Sequence, residues 1–304
     1  MEDRERFATL CGTLDKEAER LRALPVQPVG EHRRLFVEEI WASAGLAGCG
    51  LTLAETATLV ESGQTSGARR LEEYVTAADY ADAAAFVLHA PAAGGRRPFI
   101  RLEEIVELHA RALRRTPAAR PGAWRRTTAS AFPGGTVAPP AWLVPRDAGA
   151  FVERFRTGPP PGTHAVRWIA TAHERFTRLH PFDRGNGRVA RLLANLMLRR
   201  CGFPPFVIRP REAAAYLAAL RRADSNDPWP LAIAFARSVL ECTGRLHAAS
   251  GGEALSLRPL ASFATGTRRA ALYKAVQRAR LRTVRRGGTI FTTAAWIAEY
   301  DSRG

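Results

Sequence analysis

Residues 180–191, His180-Pro181-Phe182-Asp183-Arg184-Gly185-Asn186-Gly187-Arg188-Val189-Ala190-Arg191, place a base, a glycine turn and several arginines in one short run. Histidine is the side chain whose ordinary ionisation lies nearest neutral pH, so His180 is a candidate to take the proton of an attacking hydroxyl. Gly185, Asn186 and Gly187 let successive backbone N–H groups point into one concavity at a helix start, a nest that binds phosphate oxygens. Arg188 and Arg191 stand three apart on that helix, hence on one face, where planar guanidinium groups grip successive phosphates through paired hydrogen bonds. Phosphoryl-type transfer needs mainly alignment and charge stabilisation, and this run supplies both. Pro181 and Phe182 read as packing residues. Singly, a histidine at a helix end or an asparagine at a helix start is an ordinary cap; the combination points to a nucleotide site.

Such a run must be a loop between two core helices. Before it, Val166, Ile169, His173, Phe176 and Leu179 recur at helical spacing; after it, Val189, Leu192, Leu193 and Leu196 form a buried stripe, with Gly202 as a stop. His173 lies on the apolar face and reads as core. Helical runs are also expected near 4–23, 31–47 and 68–90, with a short one opened by Thr52 and Glu55 as a capping box, and Gly94-Gly95 marks a break. Ile100, Leu102, Ile105, Leu108 and Leu113 begin a second helical set. The proline-punctuated stretch 121–145, with its Pro133-Gly134-Gly135 turn, reads as an irregular hairpin or flap. Beyond a linker at 246–257, the pattern predicts helix near 259–264, a turn at Thr265-Gly266-Thr267, helix 268–279, two short strands around Gly287-Gly288 and a last helix from about Ala294.

The chain has 304 residues, 46% hydrophobic and 24% charged, enough to bury a large core plus a small one. No apolar stretch approaches the roughly 20 residues of a membrane span, and the first residues lack the apolar heart of a signal peptide, so a cytoplasmic protein without a membrane partner is expected. Cys11, Cys49, Cys201 and Cys242 are too scattered for a zinc site and read as free buried thiols. The formal charge is +16, almost all of it arginine, since only Lys16 and Lys274 are lysine. Residues 255–304 carry ten basic residues against two acidic ones, half of that net charge. Concentrated charge of this kind is a reason to consider an anionic partner such as DNA.

The run at 180–191 resembles the signature of the Fic family, HPFx(D/E)GNGRxxR, whose members mostly move AMP from ATP to a protein hydroxyl. The resemblance covers roughly residues 40–240: LEEIVELHARAL is similar to the family's early core helix, Pro121-Gly122-Ala123-Trp124-Arg125 to its PGxYR element, TTASAFPGGTVAPP to its target-docking flap, and LLANLMLRRCGFPPFVI to its post-motif stretch. It implies a mainly α protein: a Fic-type helical core with a β-hairpin flap, here with a small C-terminal winged helix-turn-helix-like domain. The expected division is 1–95, an N-terminal helical region with an inhibitory-like helix; 96–245, the Fic core; 246–257, linker; and 258–304, the winged segment. By this match His180 is the general base, Gly185, Asn186 and Gly187 form the anion hole, Arg188 and Arg191 bind phosphates, ATP is the substrate, and a target protein docks at the flap.

Two positions depart from the family pattern. Arg184 stands where the family places an acidic Mg²⁺ ligand, with Asp183 one residue earlier. Either Asp183 reaches a metal from a shifted loop, or Arg184 supplies the charge itself, or transfer is impaired. In WASAGLAGCGLTLAET, which aligns with the family's inhibitory-helix region, Ser43 takes the Ser/Thr place but Ala47 replaces the glutamate that would pair with Arg191. That helix is therefore expected to pack without restraining Arg191. Thr13 and Glu17 have the right separation for the same motif, in surroundings that do not match. The alternative reading is a DNA-binding regulator with a catalytically altered Fic core, its C-terminal arginines contacting phosphates and a groove.

Overall fold

The computed structural model describes residues 2–23, 28–65, 67, 69–90, 100–116, 120–129, 136–250, 258–286 and 288–301. The helices are α1 Glu2–Arg22, α2 Val29–Leu46, α3 Leu53–Ser62, α4 Leu71–His89, α5 Leu102–Ala112, α6 Val144–Arg156, α7 Ala165–Leu179, α8 Asn186–Arg200, α9 Ala213–Asp224, α10 Trp229–Ser250, α11 Gly266–Gln277 and α12 Ala294–Asp301. A small antiparallel sheet contains β1 Arg258–Pro259, β2 Val284–Arg286 and β3 Thr289–Thr292 in the order β1-β3-β2. The protein is thus mainly α, and among the described residues no helix is long and apolar enough to cross a membrane.

Two compact units are present, one of Phe36–Phe235 and one joining Met1–Leu35 to Ala236–Gly304. The expected N-terminal region 1–95 is therefore divided, and α1 carries a buried group that the C-terminal segment helps to satisfy. Glu17 is buried yet meets Arg20 at 3.0 Å and Arg282 at 3.3 Å, while its carbonyl lies 2.7 Å from His247 Nε2. Arg245 pairs with buried Glu31 at 2.7 Å. A buried carboxylate is tolerable only with such partners, so Glu17 serves this unit's interior. Of the expected linker, 246–250 continue α10, and 251–257 lie outside the described residues, as does the Gly94-Gly95 break.

In the C-terminal segment, Leu260, Leu272, Leu281, Trp296 and Ile297 form a separate core. The helix expected near 259–264 is reduced to a 3₁₀ turn, Leu260–Ser262, because Arg258 and Pro259 are extended and pair with Thr292 and Phe291 of β3. The remaining elements fall near their expected places. Four of its arginines also serve the fold: Arg268 pairs with Asp301, Arg269 bonds the Ala264 carbonyl, Arg258 lies over Phe263, and Arg282 lies over Trp296.

The other unit is organised around α8. Helices α4, α5 and α7 all pack against it. It is buried on almost every side, not along one stripe: Arg188, Arg191, Asn195 and Arg200 are as enclosed as Val189 and Leu192. Each of those polar groups must then find a partner inside the fold. Arg200 takes both carboxylate oxygens of Glu104 on α5, at 2.5 and 3.0 Å. Gly202 ends the run in the left-handed conformation, where Phe203 N–H returns to the Leu198 carbonyl. Thr52 and Glu55 form the expected capping box on α3, each bonding the other's backbone N–H.

Candidate active site

His180 caps the C-terminus of α7 at φ 47° and ψ 58°, its N–H bonded to the Phe176 carbonyl. Five residues later Gly185 begins α8 at φ 77°, where an added Cβ would collide with the Leu113 side chain. Two left-handed residues thus turn the chain twice within the short connection from α7 to α8. Phe182 fills the inside of this loop, fully buried, with the His109 ring stacked on it at 3.6 Å and Trp124 at 5.1 Å.

Polar contacts fix the loop further. Asn186 accepts the Phe182 N–H at 2.9 Å and donates to the Phe182 carbonyl at 2.7 Å. Its side chain is therefore an internal staple of the loop, and only its backbone is left for the expected anion nest. Asn195, farther along α8, repeats the device, exchanging bonds of 2.9 and 3.2 Å with the backbone of Phe206.

His109 was not distinguished in the sequence, although it joins three elements here. Its Nδ1 accepts the Gly122 N–H at 2.9 Å, so Nε2 carries the proton and donates to the Arg184 carbonyl at 3.1 Å. Burial pushes its pKa from 6.5 down to about 4, keeping the ring neutral. Its position in LEEIVELHARAL, on a helix with a strong apolar face, gave no sign of the role. His173 is core, as expected: Nδ1 lies 3.1 Å from the Ala190 carbonyl and Nε2 2.7 Å from the Tyr216 hydroxyl, and burial likewise lowers its pKa to about 4.

The Pro121–Arg125 element is bound to the same loop. Arg125 is buried; its N–H bonds the Pro181 carbonyl at 2.9 Å, its Nε the His180 carbonyl at 2.7 Å, and its Nη2 the Pro139 carbonyl. One guanidinium thereby connects the histidine to both arms of the flap. The arms meet where Ala138 N–H bonds the Ala129 carbonyl at 3.0 Å, and Asp224 on α9 receives both the N–H and the hydroxyl of Thr136. The turn residues Pro133-Gly134-Gly135 lie outside the described residues.

The two expected phosphate arginines are enclosed. Arg188 donates to the Ala112 carbonyl at the end of α5, at 3.1 Å. Arg191 donates through Nε to Ser43 Oγ at 2.6 Å and through Nη2 to the Ser43 carbonyl at 3.0 Å. The expectation that the α2 helix leaves Arg191 unrestrained is thus corrected: Ser43 holds it with uncharged bonds, while Ala47 is exposed in the turn beyond α2. The Arg191 side chain also bonds Tyr216, and its Nη1 lies against the first turn of α8, 3.3 Å from where a Cβ on Gly187 would stand. One turn before Ser43, buried Glu39 accepts Tyr80 Oη and, at 3.2 Å, Asn195 Nδ2. Burial raises its pKa from 4.5 to about 7, opposed by those bonds and by the charge of Arg191.

A divalent cation is implied by the fold family, but the acidic donor offered by this sequence does not suit one. Asp183 Oδ2 accepts Arg120 at 2.6 Å and its Oδ1 accepts Thr127 at 3.4 Å; after the opposing effect of burial, the Arg120 bond holds the carboxyl below its ordinary range. Arg184 is exposed, and its guanidinium makes no hydrogen bond or ion pair among the described residues. Nowhere among those residues do three His, Cys, Asp or Glu side chains gather as candidate ligands.

This geometry coincides with a known family. The Fic/DOC family model matches residues 99–198, from the start of α5 to the end of α8. These residues form a Fic/DOC domain. A protein adenylyltransferase Fic of Culex quinquefasciatus is 29% identical over 250 residues, covering 80% of this chain and 47% of that one. Another, from Drosophila grimshawi, is 30% identical over 217 residues, 69% of this chain and 42% of that one. The chain therefore spans less than half the length of these curated relatives. In fold, it resembles a segment of Fic-1 from C. elegans (22% identity, TM-score 0.69, covering 79% of this chain and 71% of that one). It also resembles a Fic domain containing signaling protein from Bacteroides thetaiotaomicron (23% identity, TM-score 0.69, covering 80% and 98%). Within the matched residues, α5 supplies His109 and the seat for Arg188, α7 ends at His180, and α8 begins at Asn186.

Proposed function

We propose that this protein is an adenylyltransferase that moves AMP from ATP to a Ser, Thr or Tyr hydroxyl of a target protein or of itself. The observation that carries the reading is the doubly turned loop, which joins the His180 cap of α7 to the N-terminus of α8 in one short connection while Arg188 and Arg191 lie on that helix. The names of the Culex and Drosophila relatives support it. In the reaction, the hydroxyl oxygen forms a bond to the α-phosphorus, the bond to the bridging oxygen of the β-phosphate breaks, and pyrophosphate leaves. His180 takes the hydroxyl proton, and the backbone N–H groups of Gly185 to Gly187 face the phosphate charge. A target chain docks along the flap as an added strand. The four cysteines are buried thiols that form no disulfide, in keeping with a reducing compartment such as the cytoplasm.

The test is labelling of protein in extract with ATP carrying label on the α- or the γ-phosphate. Label from the α-position alone, abolished by His180→Ala, is expected. Persistence in His180→Ala would remove the histidine from its role, and γ-label transfer would indicate a kinase-type reaction.

A second role, DNA binding through the C-terminal segment, is favoured by one observation: Lys274, Arg278, Arg280 and Arg285 are all exposed around α11 and β2. Phosphate contacts of this kind weaken steeply with salt. Replacing Arg278, Arg280 and Arg285 together by Gln should abolish a salt-dependent duplex shift; an unchanged shift would exclude this surface.

A further inference from the structure

We propose that the phosphate site takes a nucleoside polyphosphate whose charge is met by arginine, without a divalent cation held by the protein. The inference rests on the adenylyl-transfer reading for the nature of the nucleotide, and it concerns binding rather than the transfer step.

The acidic residue nearest the nest is already engaged. Asp183 is bonded to Arg120 and Thr127, and Arg120 is itself fixed by a 3.1 Å bond to the Trp124 carbonyl. Pulling the carboxylate toward a metal would leave Arg120 without its charge partner and remove the Thr127 contact. The carboxylates whose charges act on the two enclosed arginines do not substitute. Glu39 is buried against Tyr80 and Asn195, and Asp79 is fully buried and bonded to Arg115 at 2.7 Å through both oxygens. Mg²⁺ demands near-octahedral oxygen ligation, commonly through one or two carboxylates besides the phosphates. None of these three acids is free to offer it.

Positive charge is instead already present. The Arg184 guanidinium is exposed and unbonded, one residue before the left-handed Gly185, while its backbone is held by His109 through the carbonyl. The backbone anchor fixes the residue one position before the start of α8, and the exposed side chain, unbonded among the described residues, retains its donors for a ligand. Arg191 Nη1 lies against the first turn of the same helix, 3.3 Å from where a Cβ on Gly187 would stand. A guanidinium is always charged, weakly hydrated and shaped for bidentate contact with phosphate, so it neutralises polyphosphate charge without a metal's geometric demands.

The experiment is calorimetric titration of the full chain with ATP in EDTA and in millimolar Mg²⁺. Wild-type affinity should agree within about threefold between the two buffers, and Arg184→Ala should weaken binding in EDTA about tenfold, as expected for one charge-assisted contact. Arg184→Asp should bind weakly in EDTA and recover about tenfold or more with Mg²⁺, since it restores an unpaired carboxylate at that position. Wild-type binding that collapses in EDTA and returns with Mg²⁺ overturns the proposal, as does Arg184→Ala binding as tightly as wild type in EDTA. The adenylyl-transfer reading fails differently, by ATP binding normally while no α-label reaches protein.

Discussion

Two sets of arginines share this chain and have almost nothing else in common. On α8, Arg188, Arg191 and Arg200 are enclosed, and each guanidinium has assigned partners: the Ala112 carbonyl, Ser43 and Glu104. In the C-terminal segment, Arg278, Arg280 and Arg285 stand in solvent. An enclosed guanidinium has fixed direction and little screening, so its position is part of the fold; an exposed one acts as a mobile, salt-screened charge. Arg184 belongs to neither set, since its backbone is held and its side chain is free.

The largest expected contrast is in stability. Arg200→Ala leaves Glu104 buried without its main partner and should cost about 3–5 kcal/mol, whereas Arg280→Ala should stay within about 0.5 kcal/mol. Denaturant melts of the two variants check this, and comparable losses would erase the distinction. If Arg200→Met with Glu104→Leu regains most of the loss, the penalty belongs to the orphaned charge.

A smaller effect concerns pH. His109 and His173 have pKa values near 4 in the fold against 6.5 outside it, so the unfolded chain binds more protons between those values. Stability from them is present above pH 6.5 and is lost as pH falls toward 4. Glu39, raised from 4.5 to about 7, works oppositely, losing stability as pH rises through that window. Glu39→Gln should therefore steepen the rise in Tm between pH 4.5 and 7, at about 1.4 kcal/mol per unit of pKa shift removed. A parallel pH profile would place Glu39 outside this balance.

Smaller again is the Ser43 contact. Ser43→Ala removes the hydroxyl bond to Arg191, leaving those to the Ser43 carbonyl and to Tyr216; it should cost about 1 kcal/mol and raise KM for ATP about fivefold with kcat nearly unchanged. A kcat loss instead would mean that Arg191 acts chiefly in the transition state. Ala47→Glu should lower α-label transfer by a few fold, by setting a carboxylate one turn beyond Ser43; unchanged transfer would show that the turn directs this position away from Arg191.

The motif loop was legible because its chemistry is local: a histidine at the end of one apolar run, glycines before the next and arginines three apart need no tertiary information. The capping box at Thr52 and the stop at Gly202 were legible for the same reason. Asn186 was legible as a loop residue but not as a staple, since its bonds to Phe182 exist only once the turn closes. His109 was hidden because a histidine on an amphipathic helix is common, and its role arises from Gly122 and Arg184, which lie 13 and 75 residues away.

The sequence by itself determined the helical class, the loop between α7 and α8 and the unusual Arg184, because spacing and residue type act within a few turns of chain. Only the tertiary structure decided which charges are enclosed. It gave Arg191 to Ser43, Asp183 to Arg120 and α1 to the C-terminal unit, since burial makes every polar group find a partner and that partner comes from wherever the chain folds back.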